Sequence, residues 1–202
     1  MDEVDKLIEE NTSAQEDCEF CNESRLKVGE KTDYGSVIIY KIGTEKNGWF
    51  ATLSPKTGSD PEKDFTIQLM PFAHLTHFAQ IADSAENYGV AFSKLSKAMA
   101  KIMAEEKELK ATADSKEYGI AIGNYGKCTT WKEKKEHLHI KIFPFRGNIG
   151  QPYTVDSSFT KKEIRKDPET HEKFVKMTPV SKKRIDKERF EYLSKTLIEW
   201  LK

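Results

Sequence analysis

The sequence predicts an α+β domain built on a five-stranded antiparallel sheet with one central helical segment. Three observations lead to that class. The runs Ser36–Ile42 (SVIIYKI), Gly48–Leu53 (GWFATL) and Phe65–Met70 (FTIQLM) are rich in β-branched and aromatic residues and separated by turn-forming stretches. Between Leu75 and Lys110 the apolar period then changes to that of a helix. Two more strand-like runs follow, Tyr118–Ile122 (YGIAI) and Leu138–Phe143 (LHIKIF).

Residues 3–10 (EVDKLIEE) have the pattern of a short amphipathic helix. The first three strands are joined by Gly43–Gly48 and by a stretch beginning Ser54-Pro-Lys-Thr-Gly58, short connections that make an antiparallel meander. In the helical segment, Phe78, Ile81, Ala82 and Ala85 are followed by Phe92, Leu95, Met99 and Ile102. Asn87-Tyr-Gly89 interrupts that run, which predicts a short helix and then a longer one. Gly123–Glu136 reads as a polar loop, and Pro144 closes the last strand. After Gly147 the composition shifts. Residues 150–185 are lysine-rich, contain Pro152, Pro168 and Pro179, and predict an irregular arm. Phe190, Leu193, Leu197, Trp200 and Leu201 restore helical spacing at the end. The expected organisation is a helical segment over 1–14, the main domain over 15–147 and an extension over 148–202.

The 202 residues are 37% apolar and 33% charged, enough for one modest core. The 33 basic and 33 acidic residues cancel, so no overall field favours nucleic acid, and a phosphate-bearing ligand needs a local site. No window approaches ~18 uninterrupted apolar residues, so no membrane span is expected. The acidic start MDEVDKLIEENTSAQ lacks the basic-then-apolar order of a signal peptide, so the expected location is cytoplasmic. Three cysteines do not make a disulfide framework. In a reducing compartment Cys18-Glu-Phe-Cys21 is either a redox pair or half of a metal site. A redox pair would open a helix after a strand, whereas this one follows a polar segment, so metal is favoured. Cys128 has no sequence partner and reads as an ordinary thiol.

The stretch Glu136-His-Leu-His-Ile-Lys-Ile142 alternates polar and apolar residues. On a strand His137, His139 and Lys141 share one face, and Leu138, Ile140 and Ile142 share the other. Such alternation fits a sheet with one wet side, or a row of reactive groups. The chain has only five histidines, and a second clue favours the row. Met70-Pro-Phe-Ala-His74 places another histidine just after a strand. Cys18, Cys21, His74 and His137 together make a complete two-thiolate, two-imidazole zinc set, and C-x-x-C is a spacing at which both sulfurs reach one ion. A site of this kind would clip the N-terminal loop onto the sheet. His77 and His171 read as surface residues. The run Lys132-Glu-Lys-Lys-Glu136 reads as a solvated face, with contact to ligand phosphates as the alternative.

In this order, the C-x-x-C, Pro71-x-x-His74, a central helix, a glycine-containing loop after Asn124 and His137-Leu-His139-Ile-Lys141 resemble the histidine-triad superfamily. The resemblance covers about residues 15–147, and the C-x-x-C and Pro-x-x-His features are similar to its hexose-phosphate uridylyltransferase branch. It implies a nucleotide hydrolase or nucleotidyltransferase that forms a nucleotidyl-histidine intermediate on His139. The ligands of a structural zinc ion would be Cys18, Cys21, His74 and His137. Lys141 stands where the motif has its third histidine, or glutamine in some branches, and would stabilise phosphoryl charge. Asn124 precedes the loop that touches nucleotide phosphates in the family. Thr52 stands where many members carry a ribose-contacting acid, and Thr66 replaces the histidine of the usual Gly-His. The implied substrate is a nucleotide or dinucleoside polyphosphate, and a homodimer is expected by analogy. The alternatives are a non-catalytic nucleotide- or zinc-binding module, and a phosphorylase or transferase whose acceptor is not water.

Overall fold

The structure, a computed structural model, describes residues 12–58, 60–106, 119–125, 136–145, 159–179 and 182–202. The helix expected over 3–10, Cys128 and the stretch from Lys132 to Lys135 lie outside the described residues. The protein is α+β. Strands β1 (Val37–Ile42) and β2 (Trp49–Leu53) lead through a two-residue strand, β3 (Lys56–Thr57), to β4 (Ile67–Pro71). Strands β5 (Gly119–Tyr125) and β6 (His139–Phe145) complete an antiparallel sheet in the order β1-β2-β4-β6-β5. The five expected strands are therefore present, with ends shifted by at most three residues. Glycine at position 48 is a steric necessity in the β1–β2 turn. A Cβ there would stand 2.5 Å from the Thr44 carbonyl oxygen and 2.6 Å from the Phe72 ring.

Alternation along these strands gives the sheet two chemically different faces. Ile39, Trp49, Ala51, Leu69, Ile140 and Ile142 belong to the main core. Ile38, Phe50 and Met70 lie on the other side, in a smaller apolar cluster with Phe20. Phe20 comes from the N-terminal segment, where α1 (Glu19–Glu23) and its N-cap Cys18 carry the C-x-x-C. A bulge between Ile38 and Tyr40 shifts the parity of β1. As a result Lys41 pairs with Phe50 and joins the Ile38 face, although simple alternation would put it on the other.

The main core is closed by two helices. Helix α2 (Ala85–Glu105) buries Ala91, Leu95, Ala98, Met99 and Ile102, an i, i+4, i+7, i+8 stripe. Asn87-Tyr-Gly89 does not interrupt it. Two single 3₁₀ turns, Phe78–Gln80 and Ala82–Ser84, stand in place of the expected first helix. A helical glycine costs about 1 kcal/mol. Neighbouring contacts offset that: Tyr88 packs on Trp49 and Phe78, with ring centroids 5.0 and 5.4 Å apart, and Asn87 Nδ2 donates to the Asn47 carbonyl at 2.9 Å.

The C-terminal extension is more regular than its composition suggests. Strands β7 (Phe159–Lys166) and β8 (Lys173–Pro179) form a hairpin whose turn is held by Asp167. Its carboxylate accepts from the backbone N–H groups of Glu169 and Thr170 at 2.9 and 2.8 Å. This hairpin makes its own two-stranded sheet, and Ile164 on it is 76% exposed. A two-residue strand, β9 (Lys183–Arg184), then pairs with β3. The chain enters α3 (Lys187–Trp200) through Asp186, which caps the Glu188 N–H at 2.8 Å. Phe190, Leu193 and Leu197 of α3 are buried in the main core. Arg189 pairs with Glu106 at the end of α2 and donates to the Lys63 carbonyl at 2.9 Å. The terminal helix thus packs on the body as its spacing predicts, as an integral wall of the core. Among the described residues no helix is long and apolar enough to cross a membrane.

Candidate functional site

The second face of the sheet carries the chemistry, and β4 and β6 position it. Pro71 ends β4, so the chain turns and presents His74, whose N–H donates to the Thr12 carbonyl at 2.8 Å. His137 sits just before β6. Cys18 and Cys21 come from the start and third residue of α1. The structure brings all four together: one ligand atom from each lies within 4.8 Å of every other. His137 Nδ1 stands 3.4 Å from Cys18 Sγ and 3.6 Å from Cys21 Sγ, and His74 Nδ1 stands 3.4 Å from Cys21 Sγ. Cys21, His74 and His137 are buried and Cys18 is partly so. This group can hold a metal ion.

Two features suit it to that task. The other ring nitrogen of His137, Nε2, donates to the Pro71 carbonyl at 3.1 Å, which leaves the Nδ1 lone pair free toward the sulfurs. The Cys21 thiol is lowered to about 7, chiefly by its hydrogen bond with Cys18 and against the opposing effect of burial. Thiolate is the form that binds metal.

Next to this group, the polar side of β6 is buried. His139 and Lys141 are each only 4% exposed. Phe20 covers the histidines, its ring 5.6 Å from His137 and 5.3 Å from His139. Burial, above all, pushes His139 down to about 4, although its hydrogen bond to the His137 carbonyl raises it. The imidazole is therefore neutral at pH 7. His139 Nδ1 lies 3.1 Å from that carbonyl oxygen, so Nδ1 carries the hydrogen and the lone pair sits on Nε2.

Lys141 belongs to a polar row that crosses the sheet. The register pairs Thr52 with Gln68 and Gln68 with Lys141, and Gly123 follows on β5. Thr52 is fully buried and its hydroxyl oxygen has no hydrogen-bond partner among the described residues. An unsatisfied buried hydroxyl costs about 1–3 kcal/mol and is a group a ligand can satisfy. Asn124 lies within β5 and not in the loop where it was expected; it pairs with Ile140, while Gly123 and Tyr125 pair with Lys141 and His139. Register thus places Asn124 off the His139 row. Thr66 is buried beside the start of β4 and accepts from the Ser54 N–H at its carbonyl, 2.9 Å away. His77 caps a 3₁₀ turn by accepting from the Ala79 N–H at 3.1 Å, and His171 is exposed in the β7–β8 turn.

Three contributors escaped the sequence reading. Lys41 donates to the carbonyls of Ser24 and Leu26 at 2.6 and 2.8 Å, tying the segment after α1 to the sheet. Its ammonium is also 5.0 Å above the Phe72 ring. Only the β1 bulge, which no residue pattern announces, turns it to this face. Phe20 and Gln68 are the others. Phe20 could have been flagged as the apolar residue inside the C-x-x-C, and Gln68 as the polar break in FTIQLM.

No family model, no curated protein and no solved structure matches the chain.

Proposed function

We propose that the protein is a histidine-triad-type nucleotidyl-transferring enzyme, most simply a hydrolase of nucleoside phosphoanhydrides, with His139 as nucleophile and zinc as a structural ion. The observation that carries this reading is the tautomer of His139. Its Nδ1 is engaged by the His137 carbonyl, so the lone pair sits on Nε2, and the charge of the buried Lys141 is felt at the ring. In the first step Nε2 attacks the α-phosphorus, a P–N bond forms, and the P–O bond to the leaving phosphate breaks. In the second, water attacks phosphorus and the P–N bond breaks, releasing a mononucleotide and a neutral histidine. Lys141 offsets charge on the phosphoryl oxygens in both steps. A departing phosphate needs no proton at neutral pH, whereas an amine does, and lysine is a poor proton donor there. Lys141 therefore favours anhydrides such as dinucleoside polyphosphates over phosphoramidates.

Zinc is the ion this donor set supports. With zinc–sulfur bonds of about 2.3 Å and zinc–nitrogen bonds of about 2.0 Å, adjacent ligands in a tetrahedron stand about 3.5 Å apart. The sulfur–nitrogen separations of 3.4, 3.4 and 3.6 Å fit that edge. Four protein ligands leave no open position, so zinc supplies folding energy and holds α1 to the sheet. β5 is a sheet edge on which Ile122 is 44% exposed, and a second copy pairing there would give the homodimer.

The test is hydrolysis of a diadenosine polyphosphate by the wild type and by His139→Ala. Mononucleotide release that disappears in the variant, with zinc content and melting temperature unchanged, supports the reading. Full activity in the variant removes His139 as nucleophile.

A further inference from the structure

Phe20 stands between the two cysteines in the chain and beside two of the histidines in space. Its side chain is 8% exposed and packs with Ile38, Phe50 and Met70, while its ring lies 5.6 Å from that of His137 and 5.3 Å from that of His139. The segment that carries it is anchored on either side. Before α1 the Thr12 carbonyl accepts from the His74 N–H, and after α1 Lys41 donates to the carbonyls of Ser24 and Leu26. Between those anchors the sulfurs reach the imidazoles. Cys18 Sγ stands 3.4 Å from His137 Nδ1, and Cys21 Sγ stands 3.4 Å from His74 Nδ1 and 3.6 Å from His137 Nδ1. A five-residue helix is too short to be stable by itself, so the position of α1 follows from these ties and from the packing of Phe20. The two cysteines differ in access. Neither is in a disulfide, Cys18 is partly exposed and Cys21 is buried.

We propose that this group is a redox latch on His139: oxidation of Cys18 and Cys21 by a peroxide releases the metal and lifts Phe20 from the imidazole. Phe20 is thereby a positioning residue, which keeps His139 shielded and in place while the cysteines stay reduced. The chemistry follows from the difference in access. The Cys18 thiolate attacks the peroxide, the O–O bond breaks, a sulfenic acid forms on Cys18 and hydroxide leaves. The Cys21 thiolate then attacks the Cys18 sulfur, the S–S bond forms, and the sulfenic hydroxyl takes a proton and leaves as water. Two electrons have passed from the sulfurs to the peroxide. A disulfide offers no thiolate, so two of the four ligands are lost and both imidazoles lose their link to α1. A dithiol reductant with fresh zinc reverses the change. This inference rests on the reading of Cys18, Cys21, His74 and His137 as a metal group beside the nucleophile, but its test does not require turnover.

The experiment treats the reduced, zinc-loaded full chain with hydrogen peroxide and follows the reaction of each histidine with diethyl pyrocarbonate by peptide mass mapping. His171, exposed in the β7–β8 turn, is the internal reference. His139 is expected to react slowly in the reduced protein. Peroxide is expected to raise its rate at least about 10-fold relative to His171, because a segment released from its ties opens more often. The Cys18–Cys21 disulfide and free zinc should appear together with that rise, and a dithiol with added zinc should reverse all three. Reduced Phe20→Ala is expected to show the high rate with its zinc retained, and Phe20→Leu to stay near the wild type. Cys18→Ser should be reactive from the start and unmoved by peroxide. An unchanged His139 rate once the disulfide has formed overturns the proposal, as does zinc release without that disulfide, reduced protein that binds no zinc, or a Phe20→Ala rate equal to the wild type's. The peroxide arm uses the wild type alone, so it decides the matter even where Phe20→Ala does not fold. The nucleophile reading fails separately. If peroxide exposes His139 but no nucleotidyl adduct ever forms there, the latch stands and the enzyme does not. If the adduct forms and peroxide leaves the His139 rate unchanged, the enzyme stands and the latch does not.

Discussion

His139 Nδ1 lies 3.1 Å from the carbonyl oxygen of His137, the residue whose own ring faces both cysteine sulfurs. The backbone of a candidate metal ligand therefore sets the tautomer of the proposed nucleophile. The candidate metal group and the proposed nucleophile are thus two residues apart in the chain, coupled through one hydrogen bond.

From that coupling, Cys21→Ser is expected to lose the bound zinc and to lower nucleotidyl transfer by roughly 10- to 100-fold, the usual scale for disturbing the support of such a site. Elemental analysis of protein purified without chelator should find about one zinc per wild-type chain and almost none in the variant. A variant that keeps full activity without metal would show that the clamp does not orient His139.

Lys41→Met tests how the cysteine segment is held to the sheet. It removes two charge-assisted hydrogen bonds, to the Ser24 and Leu26 carbonyls. We expect a stability loss of about 1–3 kcal/mol, because those carbonyls lose their partner. We also expect faster zinc release to a competing chelator. Denaturant unfolding and chelator kinetics, measured on the same preparation, check both.

Replacing Lys141 by glutamine keeps a polar group but removes the charge. With phosphoryl charge stabilised less well, kcat/KM on a phosphoanhydride should fall by about 10- to 1,000-fold, while zinc content stays at the wild-type level. Steady-state kinetics against a dinucleoside polyphosphate measure it. An unchanged rate would mean that another group carries the charge-stabilising role.

Leu197→Ala addresses the extension as part of the core. Leu197 is fully buried among the residues of the main cluster. Truncating it should cost about 2–5 kcal/mol in denaturant unfolding. A loss below about 0.5 kcal/mol, the range of surface substitutions, would mean that α3 contributes little to the core.

The strands were legible as short β-branched and aromatic runs between turn signals, as in Val37–Ile42, and the long helix because its buried face imposes period 3.6 on Ala91–Ile102. The metal group was legible too, since Cys18, Cys21, His74 and His137 are types with few other reasons to converge. What stayed hidden depended on register and tertiary contact. The parity shift at the β1 bulge, which brings Lys41 to the site, leaves no mark on residue type. Phe20 arrives from the N-terminal segment to pack on His137 and His139, a contact that the alternation on β6 alone could not reveal. The β7–β8 hairpin escaped notice because its lysine-rich sequence shows little apolar periodicity.

The account turns on whether His139 becomes covalently modified. The most direct measurement is intact-protein mass spectrometry of wild type and His139→Ala, mixed with a dinucleoside polyphosphate and quenched in alkali, where a phosphorus–nitrogen bond to histidine survives. The account predicts a wild-type species heavier by one nucleotidyl group, mapped by fragmentation to His139 and absent from the variant. Substrate turnover with no adduct at any time point, or an adduct mapped to another residue, would contradict it.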